Sequence, residues 1–211
     1  MTLKNQQLFW QQFRDNFVHV GAVLPSSPAL GRASAFYLAQ KQGPVRVLEA
    51  GAGTGAFTRE IIPLLADGDS LDVVEINPHL TAYLHQRFQH EPQFKSSQGV
   101  KVHLVNADLL QFPFVGQYDY IIFSLPLTNF PPFLVQQFLE LMMHHLKPNG
   151  VFSYVKYIFI GQVKYYASPN DTKANMDETR AIIQTFAQQY QFDRRVVMAN
   201  VPPTWVHYWR K

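Results

Sequence analysis

The sequence predicts an α/β fold built on a mostly parallel sheet that ends in an antiparallel hairpin. Three observations lead there. Short apolar strands alternate with helical stretches from about residue 45 onward, the pattern of parallel strands joined by crossover helices. The first strand, in "VRVLEAGAGTGAF", runs straight into a glycine loop and the start of a helix. The final stretch, "RRVVMANVPPTWVHYWR", reads as two strands joined around Pro202-Pro203. So short a link makes them antiparallel, because a parallel crossover needs about a dozen residues.

Each element follows in order. Phe9, Phe13 and Phe17 recur every four residues beside Trp10, while Gln11, Gln12, Arg14 and Asp15 take the other face, giving a helix over about 3–18. Ser27 before Pro28 is an N-cap and N1 pair for a second helix, about Pro28 to Gln42. After the first strand and its loop, "LDVVEINP" is a second strand, with Asn77 and Pro78 opening a helix. "VKVHLVNADLL" is a third strand, ended by Asp108, and "YDYIIFSLP" a fourth. Pro131 and Pro132 open a helix that stops at "LKPNG", where Asn149-Gly150 is the stop signal. "VFSYVKYIFI" is a fifth strand, "GQVKYYASPNDTK" a polar, aromatic insertion, and a helix follows from about Asp177 to Tyr190. The hairpin brings the strands to seven.

Composition narrows the function. The 211 residues, 47% hydrophobic, suit one sizeable core, with N-terminal helices over 1–43 and a core over 44–211. A net charge of +3 gives no broad basic field for nucleic acid. With no cysteine there is no disulfide, thiolate nucleophile or Cys-based zinc site, which fits a cytoplasmic protein. The N-terminus lacks a signal-peptide core, and no apolar run approaches the roughly 20 residues of a membrane span. Membrane contact would be peripheral. No histidine spacing suggests a metal site; His144 and His145, adjacent on a helix, are expected on different faces.

The glycine loop reads Glu49-x-Gly51-x-Gly53-x-Gly55. Glycines let the backbone turn tightly and approach a ligand, and the next helix presents free N–H groups to an anion. Gly51, Gly53 and Ala56 also satisfy the dinucleotide pattern G-x-G-x-x-G/A. Glu49 separates the two readings, since a carboxylate there would repel pyrophosphate and attract a cation. S-adenosylmethionine offers an α-ammonium for Glu49, an α-carboxylate for nearby N–H groups, a ribose diol and an adenine. Glu75 ends the second strand, 20 residues after Gly55, where a carboxylate can accept from the diol. Asp108 ends the third and can accept from the adenine amino group. The plain alternative for each carboxylate is a helix cap or a solvated strand end.

"VLEAGAGTG", "VVEINP", "NADLL" and "LKPNG" together resemble the class I S-adenosylmethionine-dependent methyltransferases, over roughly Val45 to Val155. The resemblance implies a Rossmann-like, seven-stranded sheet with its last strand antiparallel and helices on both faces. It implies cofactor contacts at Glu49, Gly51, Ala52, Gly53 and Gly55, at Glu75 and Ile76, at Asn106, Ala107 and Asp108, and at Ser124. More narrowly, "VGAVLPSSPALGR", "GAGTGAFTR" and "FSLPLTNFP" are similar to bacterial phospholipid N-methyltransferases. That implies stepwise methylation of phosphatidylethanolamine towards phosphatidylcholine at the cytoplasmic membrane face, with Ser124, Leu125 and Pro126 holding the acceptor nitrogen. The uncharged loop "FSLPLTNFPP" would then line the methyl-transfer pocket. The rRNA adenine dimethyltransferases share the core, but Leu127 stands where they carry an aromatic residue to stack on a flipped base.

Substrate contacts are expected from Tyr154, Tyr157, Tyr165 and Tyr166, whose ring faces attract a partly methylated ammonium. Lys156, Lys164, Arg194 and Arg195 are candidates for a lipid phosphate, though such residues are usually just solvated. The N-terminal aromatic stripe either packs on the core or lies on lipid with Trp10 at headgroup level. The chain is expected to act as a monomer without nucleic acid. A methyltransferase for a soluble amine or protein, and a cofactor-binding module without catalysis, are the competing functions.

Overall fold

A computed structural model describes residues 26–158 and 169–211. The expected N-terminal helix, and Lys164, Tyr165 and Tyr166 of the insertion, lie outside the described residues. The strands are β1 (Arg46–Ala50), β2 (Ser70–Glu75), β3 (Lys101–Asn106), β4 (Tyr118–Phe123), β5 (Leu146–Tyr157), β6 (Gln191–Val197) and β7 (Thr204–Arg210). The helices are α1 (Pro28–Ser34), α2 (Thr58–Ile61), α3 (Pro78–His90), α4 (Pro132–His145) and α5 (Asn170–Tyr190). The strands form one sheet in the order β3-β2-β1-β4-β5-β7-β6. Only the pairings made by β7, with β5 and with β6, are antiparallel.

Two apolar layers bury the sheet. On one face, Leu48, Phe123, Phe152 and Trp209 pack under α4 and Ile183 of α5. On the other, Val47, Val73, Val206 and Tyr208 pack under α1, α2 and Leu84 of α3. The parallel strands therefore read as near-continuous apolar runs, as strands covered on both faces must.

The start signals act as expected. Ser27 Oγ accepts from the Leu30 N–H at 3.2 Å, with Pro28 behind it. Asn77 Oδ1 accepts from His79 N at 2.9 Å. Pro131 caps α4 and Pro132 is its first residue.

The stops differ, and packing explains why. α1 ends at Ser34 rather than near Gln42, because Phe36 and Tyr37 turn onto the sheet. The Tyr37 hydroxyl donates to Asp193 at 2.7 Å, and its ring meets Tyr208 edge-on at 4.9 Å. After the glycine loop, α2 lasts one turn. Pro63 cannot donate to it, and Ile62–Leu64 tightens into a 3-10 turn. α4 ends at His145, and "LKPNG" is already strand, with Leu146 paired to Tyr118. Asn149, at φ 64°, kinks β5 rather than capping the helix, and its N–H donates to Lys211 O at 2.9 Å. α5 begins at Asn170, two turns earlier than Asp177. The adjacent His144 and His145 rings touch after all, edge-on at 4.9 Å, at the frayed end of α4.

At the amino end of the strands, Asp72 is buried and fully engaged. One oxygen meets Arg46 at 2.8 Å and the Tyr118 hydroxyl at 2.7 Å, and the other meets His103 at 2.8 Å. Burial alone would raise this carboxyl, but Tyr118, Arg46 and His103 together hold it below its ordinary value. Its stabilisation is therefore complete above the ordinary carboxylate range and is lost as pH falls through the depressed value. Asp72→Ala should destabilise the fold by about 2–4 kcal/mol at neutral pH. Denaturant titration measures this, and the difference from the parent should shrink below about pH 4.

Candidate active site

The glycine loop leaves β1 at the carboxyl edge, where Gly51, Gly53 and Gly55 have φ of 79°, 58° and 82°. Their environments differ. A Cβ on Gly51 would come within 2.3 Å of Leu125, so this loop and the loop after β4 interlock. A Cβ on Gly55 would meet Leu84 at 2.6 Å. A Cβ on Gly53 meets nothing within 4 Å, so open space lies above that backbone. The Gly51 and Ala52 N–H groups both donate to Val74 O, tying the loop to β2.

Glu49 points from β1 toward α2. It is fully buried, with 0% exposure. Neither carboxylate oxygen has a hydrogen-bond partner, and the nearby Thr58 hydroxyl is equally buried and unpartnered. Burial pushes the Glu49 carboxyl up to about 8; proximity to Thr58 offsets part of that rise, and Glu75 adds slightly to it. Buried polar groups without partners are rare because each costs about 1–3 kcal/mol. These three atoms could accept or donate to a polar or cationic ligand group. Sequence reasoning missed Thr58; its position just after the glycine loop was the only signal.

Glu75 is anchored as well as poised. Its two oxygens accept from Gly53 N at 2.7 Å and Asn77 N at 2.8 Å, so it props the glycine loop against the start of α3. Each oxygen keeps a second lone pair. Burial nevertheless raises its carboxyl. The Asn106 side chain is occupied with scaffolding: its amide donates to Glu75 O at 2.8 Å and Thr81 Oγ1 at 3.1 Å. Ala107 N likewise donates to Glu75 O. Ile76 packs under the α4 layer. Asp108 is half-buried and caps a short turn, with Oδ1 accepting from Leu110 N at 3.0 Å. Burial raises its carboxyl too.

The loop after β4 closes the site. The Ser124 hydroxyl donates its proton to the carbonyls of Ala50 and Gly51, and Ser124 N donates to Ala50 O at 3.1 Å. Its oxygen is left as an acceptor beside the glycine loop. Leu125 covers Gly51, and Pro126 starts a tight turn over Leu127–Asn129. The loop's lack of charge is partly a core property, because Leu127 and Phe130 are buried.

Two substrate candidates move. Tyr154 is 2% exposed, with one face stacked on His207 at 4.8 Å and its edge on Trp209, so it is a core residue with no ring face to offer. Arg194 lies on β6, three strands from β4, or about 14 Å along the sheet. Its backbone is therefore remote from Ser124. Tyr157 is half-buried at the end of β5.

Residues 47–150 match the model of a methyltransferase domain family. The chain is 28% identical over 153 residues to an ornithine lipid N-methyltransferase from Singulisphaera acidiphila, covering 72% of this chain and 78% of that one. It is 37% identical over 83 residues to the ribosomal RNA small subunit methyltransferase A of a Synechococcus strain, but spans only 26% of that protein's length. Among solved structures, the N-methyltransferase NodS of Bradyrhizobium japonicum, bound to S-adenosyl-L-homocysteine, superposes with TM-score 0.58 at 15% identity, over 92% of this chain and 90% of that one. An O-methyltransferase from Bacillus cereus, bound to the same molecule, reaches 0.66 at 14% identity, over 95% and 88%. At such identities the structural matches establish the fold.

The unpartnered carboxyl has a measurable consequence. A group held at about 8 instead of 4.5 contributes stability below pH 4.5 that is lost as pH rises to 8. Without ligand, Glu49→Gln should therefore melt above the parent at pH 8, by about 2–4 °C per kcal/mol recovered. The gap should close near pH 4.5, the ordinary value. Thermal melts at both pH values check this.

Proposed function

We propose, on the premise that the chain is a class I S-adenosylmethionine-dependent methyltransferase, that it methylates the amine headgroup of phosphatidylethanolamine towards phosphatidylcholine. S-adenosylmethionine supplies an electrophilic methyl group on a sulfonium. The residues present fit it. Glu49 and Thr58 would receive the α-ammonium, and the charge of that group would draw Glu49 into its ionised form. The open backbone at Gly53 leaves room for the cofactor. The spare lone pairs of Glu75 would meet the ribose diol, and the free oxygen of Asp108 the adenine amino group.

The observation that carries the acceptor assignment is Ser124. With its proton committed to the Ala50 and Gly51 carbonyls, its oxygen can only accept. An amine N–H is a suitable donor, and binding it would aim the nitrogen lone pair toward the cofactor loop. The uncharged Leu125 and Pro126 would exclude water and favour the neutral amine over ammonium. The proton would leave to water. The likeness to an ornithine lipid N-methyltransferase supports a lipid amine as acceptor.

The partial likeness to ribosomal RNA methyltransferases supports a second reading, adenine N6-methylation. Against it, Leu127 is 2% exposed and aliphatic, so it presents no ring to a flipped base. Residues 1–43 would act as a lid or membrane contact around the 44–211 core. Association with the inner membrane face would be peripheral; among the described residues no helix is long and apolar enough to cross a membrane.

Gly53→Val should leave the fold intact, since nothing lies within 4 Å, yet abolish cofactor binding measured by calorimetry. The β-branched side chain would fill the open space and strain a left-handed backbone. With labelled S-adenosylmethionine, phosphatidylethanolamine vesicles should yield methylated lipid, whereas ethanolamine alone should not react. Equal turnover of free ethanolamine would shift the acceptor to soluble amines, and label in ribosomal RNA would favour the second reading. Ser124→Ala should lower kcat by roughly 10-fold, the value of one hydrogen bond to a charged or reacting group, with cofactor affinity within twofold.

A further inference from the structure

On the sheet face covered by α4 and α5, basic side chains rise from three neighbouring strands beside the acceptor loop. Lys156 stands two residues past Phe123↔Tyr154, the last rung shared by β4 and β5, and so borders the loop that leaves β4 with Ser124. Lys156 pairs in register with Trp205 of β7. From the other side, Arg194 of β6 lays its guanidinium over the Trp205 ring, 4.9 Å from the centroid. Lys156 and Arg194 thus flank a single indole.

Neither makes an ion pair with a described residue, and Asp177 and Asp193 are engaged elsewhere. Asp177 pairs with Arg180 of α5 at 3.0 Å. Asp193 lies on the opposite sheet face, with Tyr37 and Arg195. The neighbouring basic groups act on one another. His207, paired in register with both Tyr154 and Arg194, is pushed down to about 4 by burial and further by Lys156 and Arg194. Lys156 is lowered by burial and then by Arg180. Surface lysines and arginines are usually just solvated. Here Lys156 and Arg194 are exposed beside the partly buried His207, and an anion would relieve the excess positive charge they share.

We infer that Lys156 and Arg194 seat the anionic group of the acceptor headgroup, a phosphodiester or a carboxylate, while its amine is held at Ser124. This rests on the lipid-amine reading above. Lys156 lies one strand spacing from the line of β4, about 4.8 Å. A two-carbon linker between amine and phosphodiester spans a comparable distance. Arg194 offers a planar fork suited to either anion, and stacking on Trp205 restricts it before the anion arrives. The seat would also distinguish a headgroup from a bare amine, because ethanolamine has nothing to place there.

The test uses the full chain with S-adenosylhomocysteine, and glycerophosphoethanolamine, ethanolamine and inorganic phosphate as probes in calorimetry. Lys156→Met with Arg194→Gln should weaken glycerophosphoethanolamine by at least about 10-fold, the scale of losing charge-assisted bonds. Ethanolamine affinity and S-adenosylhomocysteine affinity should stay within twofold, and KM for phosphatidylethanolamine vesicles should rise by a similar factor. Equal affinity of parent and double variant for glycerophosphoethanolamine, or no binding to the parent, would overturn the seat. Inorganic phosphate binding as tightly as glycerophosphoethanolamine would overturn it in favour of a free-phosphate site. A parent that binds glycerophosphoethanolamine through these residues but methylates no lipid would leave the seat standing and sink the lipid reading instead.

Discussion

The arrangement turns on one fully buried carboxyl group with no hydrogen-bond partner among the described residues. Glu49 sits in the middle of the sheet with both oxygens unpartnered, while other buried carboxylates in the fold are matched. Asp69 accepts from Val45 N and Ala66 N and pairs with Lys41. Asp72 has Arg46, Tyr118 and His103. Those two serve the amino end of the strands, where the chain is only held together. At the carboxyl edge, satisfaction is incomplete: Glu49 has no partner, Asp108 uses one oxygen, and Ser124 keeps an acceptor. The polarity of a parallel sheet gives one edge to stability and the other to binding. Among these carboxyl groups, the unmet hydrogen bonds follow that division.

Interlocking loops then hold the binding edge in shape. Glu75 grips the glycine loop through Gly53 N, Ser124 grips it through the Ala50 and Gly51 carbonyls, and Leu125 fills the space a side chain at Gly51 would need. Residues at two strand ends, those of β2 and β4, thus constrain the backbone from Ala50 to Gly53. A side chain at Gly51 or Gly55 would collide with Leu125 or Leu84, whereas the backbone at Gly53 stays open.

What the sequence made legible was what local physics decides. Alternation of strand and helix, the Ser27 and Asn77 caps and the antiparallel hairpin all follow from residue type and spacing. Glu49 near the end of β1 and Glu75 at the end of β2 were legible because each is an acid closing an apolar run just before a glycine loop or a helix cap. What could not be read was decided by distant contacts. α1 stops early because Tyr37 is drawn to Asp193, 156 residues away in sequence. Tyr154 looked like a ligand contact and is core, since its neighbours His207 and Trp209 arrive only with the last strand. The loop "FSLPLTNFPP" was ambiguous for the same reason. Leu127 and Phe130 owe their apolarity to the core, and Leu125 packs against that core while it covers Gly51.

The place of β7 between β5 and β6 sets an order of assembly. β6 has no neighbour until β7 exists, yet β7 comes last in the chain. During synthesis β1 to β5 can pair as they emerge, while β6 must wait exposed until β7 follows. The buried Trp209 and Tyr208 then close both apolar layers in one step. Completion of the sheet, the dry setting of His207 and Tyr154 and the approach of Arg194 to Trp205 all depend on the last strand arriving. The β5-β7-β6 part of the sheet is therefore finished late, after the glycine loop can already be in place. A ribosome-bound chain stopped before β7 would carry an open sheet edge, the kind of intermediate that seeks another strand to pair with.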